Sequence, residues 1–358
     1  MRDLLRVQNP RSFEMTFGGK TVVLGADFRQ ISPVIPKGTR QDIVGASINS
    51  SYLWRSCKVF RLTKNLRLRA LQSKSGVQEI EEHAKWIADI GDGTIGDSLD
   101  GECEINIPDK FLLKSVEDPI CTIVDSIFPG FRIGNRDVKY LKDCAILAPT
   151  LDVVDNINEY MNGYNTAEGM AYLSCDSVCK SDSNVDMLAD LHTPEFLNGL
   201  RCSGVPNHSL TLKVGSPVML MRNIDHSLGL CNGTRMIISK LATHVLEAQI
   251  LTGTSAGTKV LIPRMSLTPS DPRLPFKFQR KQFPLMLSYA MTINKSQGQT
   301  LSNVDLFLKR PVFNHGQLYV AVLRVSNTSG LKMLICDENI QSKNTTTNVV
   351  NKEVFNNV

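Results

Sequence analysis

Leu287-Ser-Tyr-Ala-Met-Thr-Ile-Asn-Lys-Ser-Gln-Gly-Gln-Thr-Leu301 is the stretch around which this chain is organised. An apolar run from Leu285 to Tyr289 leads into Thr292, a residue type that caps helices, so the pattern predicts a strand followed at once by a helix. The first turn of a helix carries N–H groups without intrahelical partners, and Lys295 adds a positive charge there. Gly298 removes a side chain that would keep a ligand from the backbone. The stretch predicts an anion site, and a capped amphipathic helix without a ligand is the alternative.

Composition and charge describe an ordinary water-soluble globular chain. It has 358 residues, of which 42% are hydrophobic and 21% charged, and its net charge is +5. This length predicts two or three domains, and the mild basicity permits a polyanionic partner without requiring one. No window approaches the roughly 20 apolar residues of a membrane span, and the first residues lack the apolar core of a signal peptide. We therefore expect no membrane partner.

The nine cysteines are scattered singly, which favours a reducing compartment. Cys175 and Cys179 are the closest pair, at a spacing possible for zinc, but no second pair of ligands follows nearby. The histidines His208, His226 and His244 are irregularly spaced. The sequence predicts no metal site built from these residues.

A second polar cluster follows the apolar run Thr21-Val-Val-Leu-Gly25. Such a continuous run predicts a buried strand of a parallel sheet. Ligands of open α/β sheets lie beyond the carboxyl ends of the strands, which is where Asp27, Arg29 and Gln30 fall. The Gln30 amide is neutral and can donate and accept, which suits orienting a water or contacting a terminal phosphate. A polar surface loop is the alternative, and this segment alone favours it.

Gly18-Gly-Lys-Thr21 is similar to part of a phosphate loop, but two features argue against that interpretation. Glu14 stands where the motif requires its first glycine. Lys20 and Thr21 lead into an apolar run rather than into a helix. We reject this segment as a nucleotide-binding loop.

Strands and helices alternate through most of the chain, which predicts the α/β fold class. Arg67 lies just beyond a predicted strand, and Arg324 lies in the last turn of a predicted helix, where the dipole favours a cation. The end from Gln341 is expected to be loosely held, although Val349–Val350 and Val354–Phe355 could dock. Strands are predicted at Val59–Thr63, Asp143–Thr150, Val304–Leu308 and Lys332–Cys336, and helices at Ile43–Trp54, Val77–Ile90, Ile120–Phe128, Leu151–Met161 and His315–Val325.

The pattern changes to short strands between Leu210 and Ile262, where glycine and asparagine separate the apolar runs. Five strands at this spacing predict a small all-β barrel. They are Leu210–Val214, Pro217–Met221, Thr234–Ile238, His244–Leu251 and Lys259–Ile262.

Basic and aromatic residues alternate from Arg273 to Phe283, without an acidic residue among them. Lys277, Arg280 and Lys281 could follow a sugar-phosphate strand while the phenylalanines stack on bases. A strand with buried phenylalanines and solvated cations explains the pattern equally well.

Four blocks of sequence, in this order, resemble the third to sixth motifs of the Pif/RecD group of superfamily-one DNA helicases. The versions carried by Helitron-type transposons and abundant in plants are the most similar. The connecting segments are also similar, so the resemblance covers nearly the whole chain. The blocks are Gly25-Ala-Asp-Phe-Arg-Gln30, Leu62-Thr-Lys-Asn-Leu-Arg67, Thr292-Ile-Asn-Lys-Ser-Gln-Gly-Gln-Thr300 and His315-Gly-Gln-Leu-Tyr-Val-Ala-Val-Leu-Arg324.

The resemblance implies a fold of two RecA-like helicase lobes, with ATP and Mg²⁺ between them and DNA across both. Residues 1–57 would end a partial first lobe, 58–207 and 284–340 would form the second lobe, 208–283 the inserted all-β barrel, and 341–358 a polar tail. The implied catalytic residues are Gln30, Arg67 and Arg324. The implied nucleotide-binding residues are Asp27, Gln297 and Gly298. The DNA contacts would be Thr292, Asn294, Lys295 and Ser296, together with Lys277, Arg280 and Lys281.

Two departures from the family pattern bear on function. Leu323 replaces the small serine that usually precedes the arginine of the sixth motif. The family's phosphate loop and its magnesium motif precede the Gly25 block and have no counterpart here, so the metal ligands are expected outside this chain. Without them most of the charge stabilisation for phosphoryl transfer is missing.

Three functions remain open at this point. The chain could be the C-terminal portion of an ATP-dependent, 5′–3′ DNA helicase that acts on single strands and duplex junctions, with a missing N-terminal half as its partner. It could instead be a non-catalytic module that binds single-stranded DNA. It could also be a decayed fragment without a retained role. The resemblance implies a nuclear location.

Overall fold

The computed structural model describes residues 2–7, 9–63, 77–96, 101–114, 118–134, 138–179, 193–202, 204–269, 274, 276–325, 327–337 and 341–356. The chain forms two compact units. Unit 1 comprises residues 1–105, 312–323 and 347–358, and unit 2 comprises residues 106–311 and 324–346. The lobe boundaries expected from the resemblance stay a prediction.

A four-stranded parallel sheet forms the centre of unit 2, with the strand order β13-β2-β14-β15. Every residue of β2 is buried, as expected of a strand that is covered on both faces. Two helices, α4 and α6, pack their apolar residues against this sheet in one core. The strands are β2 (Cys144–Ala148), β13 (Ala290–Thr292), β14 (Asn303–Leu308) and β15 (Leu331–Ile335), and the helices are α4 (Pro119–Ile127), α5 (Val138–Asp143) and α6 (Leu151–Tyr164). The α/β class is confirmed, as are the predicted elements that correspond to β2, β14, β15, α4 and α6, whereas β13 and α5 were not predicted.

The remaining strands of unit 2 form antiparallel sheets. A five-stranded sheet has the order β12-β6-β7-β8-β9, a second sheet pairs β3 with β5, and a third has the order β10-β11-β4. All five strands predicted for the barrel are present, but the first of them, β5, pairs outside the five-stranded sheet. The strands are β3 (Gly169–Leu173), β4 (Cys175–Val178), β5 (Ser209–Lys213), β6 (Pro217–Leu220), β7 (Arg235–Leu241), β8 (Val245–Ile250), β9 (Lys259–Pro263), β10 (Met265–Leu267), β11 (Phe278–Gln282) and β12 (Leu285–Leu287).

Unit 1 is largely helical in its described residues. Its helices are α1 (Arg2–Leu5), α2 (Arg40–Gly45), α3 (Val77–Asp92) and α9 (Gln317–Val322), with short 3₁₀ turns between them. The described part of unit 2 also contains α7 (Pro194–Gly199) and α8 (Ile293–Ser296). Strands β1 (Glu102–Asn106) and β16 (Thr345–Val349) pair as a two-stranded sheet. None of the described helices is long and apolar enough to cross a bilayer.

The strand predicted at Thr21–Gly25 is wrong. These residues are extended but pair with no described strand, and Val23 is 90% exposed. The segment Val59–Thr63 likewise forms no strand. Hydrogen bonds to a neighbour make a strand, and an apolar run by itself supplies none. The helix predicted at Ile43–Trp54 is also replaced, by α2 and two 3₁₀ turns.

The C-terminal end is held more tightly than expected. Val349, Val350 and Val354 are each at most 7% exposed, and Asn348 donates a hydrogen bond to the Ile90 carbonyl at 2.9 Å. The expectation of a loose end is therefore wrong, whereas docking of the valines is confirmed. Burial of three apolar side chains compensates for ordering a segment that is otherwise polar.

Candidate nucleotide and nucleic-acid sites

A cleft of about 630 Å³ opens on unit 2 beside the fifth block of the family pattern. Three segments line it, namely the β6–β7 connection, the β8–β9 hairpin and the turn that contains α8. The lining consists of glycines, hydroxyls and amides, with one cation and no acidic residue. The lining residues are Gly229, Asn232, Gly233, Thr234, Thr252, Gly253, Thr254, Ser255, Asn294, Lys295, Gln297, Gly298 and Gln299. Such a surface accommodates an anion and offers many hydrogen-bond donors to it.

Lys295 supplies the positive charge of the cleft. Its Nζ atom donates a hydrogen bond to Asn232 Oδ1 at 3.3 Å. Burial lowers the pKa of Lys295, and the nearby Arg222 guanidinium lowers it further. A partly desolvated ammonium beside a second cation gains more from a bound phosphate than a solvated lysine would.

The helix expected to carry the anion site is only one turn long. α8 spans Ile293–Ser296, and its N-cap, Thr292, makes no side-chain capping bond. The Ser296 hydroxyl donates to the Ile293 carbonyl at 2.7 Å and is fully buried, so it does not reach the cleft surface. Asn294 and Lys295 do line the cleft. The dipole of a single helical turn is small, so these side chains, rather than the helix dipole, favour an anion there.

Arg280 is not placed to contact DNA, which corrects the prediction from the basic and aromatic segment. It is fully buried, and its Nε and Nη2 atoms pair with the Asp176 carboxylate at 2.7–3.0 Å. Its remaining donors reach the carbonyls of Leu197, Leu200 and Pro206 at 2.8–3.1 Å. All five guanidinium N–H groups thus have acceptors inside the fold.

The neighbouring lysines lie on the opposite face of β11. The strand alternates between buried and exposed positions, so Phe278, Arg280 and Gln282 point inward. Lys277 and Lys281 are exposed, and neither lines the cleft. Their assignment as DNA contacts stays a prediction.

Arg324 follows α9, which ends at Val322 rather than at Val325. The residue is 5% exposed, and its Nη1 atom donates to the carbonyls of Ser296 and Gln299 at 3.2 and 2.9 Å. Because Gln299 lines the cleft, Arg324 stabilises the cleft wall. Leu323 keeps helical dihedral angles at the end of α9, so the departure from the family's serine is accommodated locally.

The loop containing Asp27 and Gln30 lies in unit 1. Gln30 Nε2 donates to Asp27 Oδ2 at 3.3 Å, and the Tyr319 hydroxyl donates to the same oxygen at 2.9 Å. Arg29 forms a bidentate ion pair with Asp92 at 2.6 and 2.8 Å. Asp27 and Gln30 of the third family motif are therefore in contact. Arg29 of the same motif forms an ion pair with Asp92 instead.

The sequence analysis assigned no role to His315 or Tyr319, although both belong to the sixth block. His315 is fully buried; its Nε2 atom donates to the Phe28 carbonyl at 2.9 Å, and its Nδ1 atom accepts the Asn351 N–H at 2.9 Å. Burial lowers the pKa of His315, so the ring is neutral and its proton lies on Nε2. An unusual concentration of aromatic and small residues in one short block was the available signal.

Gly316 allows its own backbone to lie close to the backbone of Arg29 and Gln30. Its φ is +73°, and a Cβ atom there would lie 2.4 Å from the Arg29 carbonyl oxygen. Gly298 also has a positive φ, of +81°, but a Cβ atom there would meet nothing within 4 Å.

We therefore expect Gly316→Ala to destabilise the protein more than Gly298→Ala. The positive φ alone costs an alanine about 1 kcal/mol, and the clash at Gly316 adds at least about as much again. Guanidinium unfolding followed by circular dichroism measures both variants. Equal losses would contradict the close approach at Gly316.

Two expected features have no counterpart among the described residues. Arg67 lies outside the described residues. No cluster of three or more potential metal ligands occurs in the described part of the chain, so these residues do not fit Mg²⁺ and we derive no step through it.

The glycines of Gly18-Gly-Lys-Thr21 have a local explanation. Both have positive φ, and Cβ atoms at Gly18 and Gly19 would lie 2.7 Å from Leu5 and 2.9 Å from Met15. Lys20 continues into extended chain. The rejection of this segment as a phosphate loop agrees with its conformation, because it neither follows a strand nor opens a helix.

Comparison with known protein families and structures gives consistent matches. The PIF1-like helicase family matches residues 1–101, and the DNA helicase Pif1 2B domain matches residues 195–241. The ATP-dependent DNA helicases PIF1 of Xenopus laevis and Homo sapiens are each 35% identical, over 144 and 148 residues. These segments cover 38% and 40% of this chain but only 21% and 22% of the two relatives.

Solved structures extend the similarity in fold to nearly the whole chain. The Pif1 helicase of Candida albicans matches with a TM-score of 0.55 and 22% identity, covering 96% of this chain and 72% of that one. A Bacteroides Pif1 structure with bound single-stranded DNA matches with a TM-score of 0.53 and 17% identity, covering 93% and 67%. The fold is therefore that of helicases with RecA-like lobes. Residues 1–101 and 195–241 are thus similar to the PIF1-like helicase family and to the Pif1 2B domain, and the fold of the chain is similar to that of solved Pif1 helicases.

Proposed function

We propose that this chain is the strand-binding and phosphate-sensing portion of an ATP-dependent DNA helicase, which unwinds duplex DNA in the 5′–3′ direction by hydrolysing ATP. The observation that carries this proposal is the cleft of unit 2, in which Lys295 lies among amides, hydroxyls and glycines. The nucleus is the proposed location, and an N-terminal half that carries the phosphate loop is the proposed partner.

The chemistry of the cleft suits the backbone of a single strand better than its bases. Its lining residues include no aromatic side chain on which a base could stack, and no acidic side chain that would repel phosphate. Hydroxyl and amide groups contact phosphate and sugar without reading sequence. We therefore propose sequence-independent binding of a single strand, also where it emerges from a duplex junction.

The nucleotide chemistry is proposed for a small set of side chains. Gln30, in unit 1, would contact a terminal phosphate or orient the attacking water. Arg324, in unit 2, would neutralise charge that develops during phosphoryl transfer. Gln297 and Gly298 lie in the cleft wall and would connect the strand to the nucleotide. A Bacteroides Pif1 structure in complex with ADP-AlF3 and single-stranded DNA supports this pairing of ligands in a relative.

Lys295→Ala is expected to weaken binding of a fluorescein-labelled oligothymidylate about tenfold, because one charge-assisted phosphate contact is lost. Fluorescence anisotropy over a series of salt concentrations measures this. The slope of log K against log salt should become shallower by about 0.7, the value for one phosphate of a single strand.

Lys240→Ala is the matched control, since it removes the same charge from a β-strand of the same unit with a 75% exposed side chain. Lys281→Ala tests in the same assay whether the exposed face of β11, with Lys277 and Lys281, also binds the DNA strand. Unchanged affinity in Lys295→Ala, or an equal loss in Lys240→Ala, would contradict binding in the cleft.

A non-catalytic module for single-stranded DNA is the second candidate, favoured because the cleft around Lys295 offers a cation, amides and hydroxyls that could hold a strand without nucleotide chemistry. ATP turnover by the purified chain, stimulated by single-stranded DNA, would support the helicase. Salt-sensitive strand binding without turnover would support the module. Absence of both activities would support a fragment without a retained role.

A further inference from the structure

Asp27 sets the orientation of the Gln30 side chain. Its Oδ2 atom accepts hydrogen bonds from Gln30 Nε2 at 3.3 Å and from the Tyr319 hydroxyl at 2.9 Å. Its Oδ1 atom accepts the main-chain N–H of Arg29 at 3.1 Å. A carboxylate only accepts hydrogen bonds, so the group of the Gln30 amide that faces it is the NH₂. The direction of the amide therefore depends on where Asp27 is held.

Tyr319 holds Asp27 from a position that leaves little freedom. The residue is 6% exposed, and its ring packs against α3, where a Cβ atom at Gly91 would lie 2.7 Å from it. Burial, with the nearby Asp27, raises the pKa of Tyr319 to about 12. The hydroxyl thus keeps its proton at neutral pH and acts as a donor to the carboxylate.

The contact belongs to a larger attachment of the loop. His315 donates to the Phe28 carbonyl, and the backbone of Gly316 lies against the Arg29 carbonyl. Residues 315–319 therefore hold the loop at three successive places. The contact from Tyr319 reaches the side-chain network that includes Gln30.

We propose that Tyr319 is the positioning residue for Gln30, and that it fixes through Asp27 the direction in which the amide meets a terminal phosphate or an attacking water. This role rests on the proposed function, because Gln30 acts on phosphate only in that function. The hydrogen bonds themselves join residues of this chain alone.

Nuclear magnetic resonance of the deuterated, ¹⁵N-labelled chain tests the arrangement without any ligand. The side-chain amide signal of Gln30 is assigned by its loss in Gln30→Glu. In Tyr319→Phe the ring stays over Gly91 but the donor is gone, so we expect the two amide protons of Gln30 to shift toward each other and toward solvent-exposed values. Asp27→Asn should displace the same signal, because it changes the carboxylate that accepts the hydrogen bond from Gln30 Nε2.

Tyr289→Phe is the matched control. Tyr289 is 1% exposed and donates to the Ser216 hydroxyl at 3.2 Å, so its variant also removes a buried tyrosine hydrogen bond. It should leave the Gln30 signal in place. An unchanged Gln30 amide in a folded Tyr319→Phe chain, or an equal change in Tyr289→Phe, would overturn the proposal.

Turnover supplies a second readout that separates this proposal from the proposed function. If the chain hydrolyses ATP, Tyr319→Phe should lower kcat about tenfold with little change in KM, the effect of losing one hydrogen bond to a charged group. Tyr319→Phe should then add nothing in a Gln30→Ala background, and an additive loss would count against positioning. If the chain alone shows no turnover, the kinetic comparison is made with the proposed N-terminal half added, and absence of turnover there contradicts the helicase function while the amide signal still decides the role of Tyr319.

Discussion

Arg280→Met is expected to lower the free energy of unfolding by about 3–5 kcal/mol, because it leaves the buried Asp176 carboxylate without its partner. The ion pair has no exposed side-chain surface on either side. The variant also leaves the carbonyls of Leu197, Leu200 and Pro206 without the donors that now satisfy them. Urea unfolding followed by circular dichroism measures the loss.

Lys281→Met is the control, since it changes the next residue of the same strand on its exposed face. Its effect should lie within about 0.5 kcal/mol, the usual range for surface substitutions. Arg280→Met combined with Asp176→Leu should recover part of the loss, because a well-packed apolar pair replaces a buried ion pair at little cost. A small effect of Arg280→Met, accompanied by loss of strand binding, would restore Arg280 as a DNA contact.

Asp305→Asn is expected to stabilise the protein at pH 8, and to stabilise it by about 1.5 kcal/mol less at pH 5. Asp305 is 3% exposed in β14, and burial raises its pKa to about 6, although Ser126 and Lys332 oppose the shift. Its Oδ2 atom has no hydrogen-bond partner among the described residues. An ionised carboxylate in this position is poorly solvated, whereas asparagine carries no charge.

The direction in which Asp305 changes stability with pH follows from its protonation in the folded and unfolded chains. Between pH 4 and 6 the unfolded chain has lost the Asp305 proton while the folded chain retains it, so stability falls as the pH rises through this range. Above pH 6 both states are ionised, and the loss levels off at about 3 kcal/mol, from about 1.4 kcal/mol per pKa unit. Asparagine removes this loss, less the cost of burying its own amide.

Thermal and urea unfolding of parent and variant at pH 5, 6, 7 and 8 measure the difference between them, in which the other titrating groups cancel. Asp109→Asn makes the same substitution at an exposed position of the same unit and is the control for the removal of an aspartate as such. A constant difference between parent and Asp305→Asn across these pH values would contradict a raised pKa at Asp305.

Identical local patterns led to different structures in two parts of the chain. The apolar runs Cys144–Ala148 and Thr21–Gly25 both predict a buried parallel strand. The first pairs with β13 and β14 and is fully buried, whereas the second pairs with no described strand and is exposed. A run of apolar residues identifies a candidate strand, but only hydrogen-bonded neighbours on each side make it one.

The segment around Arg280 shows what alternation could and could not predict. Side chains of a strand alternate between its two faces, so the sequence alone predicts that Arg280 shares a face with Phe278 and lies opposite Lys277 and Lys281. The ion-pair partner of Arg280 could not be predicted in this way. Asp176 lies about a hundred residues away and meets Arg280 only through the pairing of β4 with β11.

The sequence by itself determined the similarity to Pif1-like helicases, the parallel-sheet core, the five strands of the β-rich region and the segment that carries Lys295. These depend on hydrophobic period and on short motifs, which are local properties of the chain. Tertiary structure alone decided that Arg280 is a buried tether, that Arg324 binds the main chain of the cleft wall, and that Tyr319 holds Asp27 and with it Gln30. Each of these contacts joins residues far apart in sequence, and a hydrogen bond forms only where folding brings a donor within about 3 Å of an acceptor.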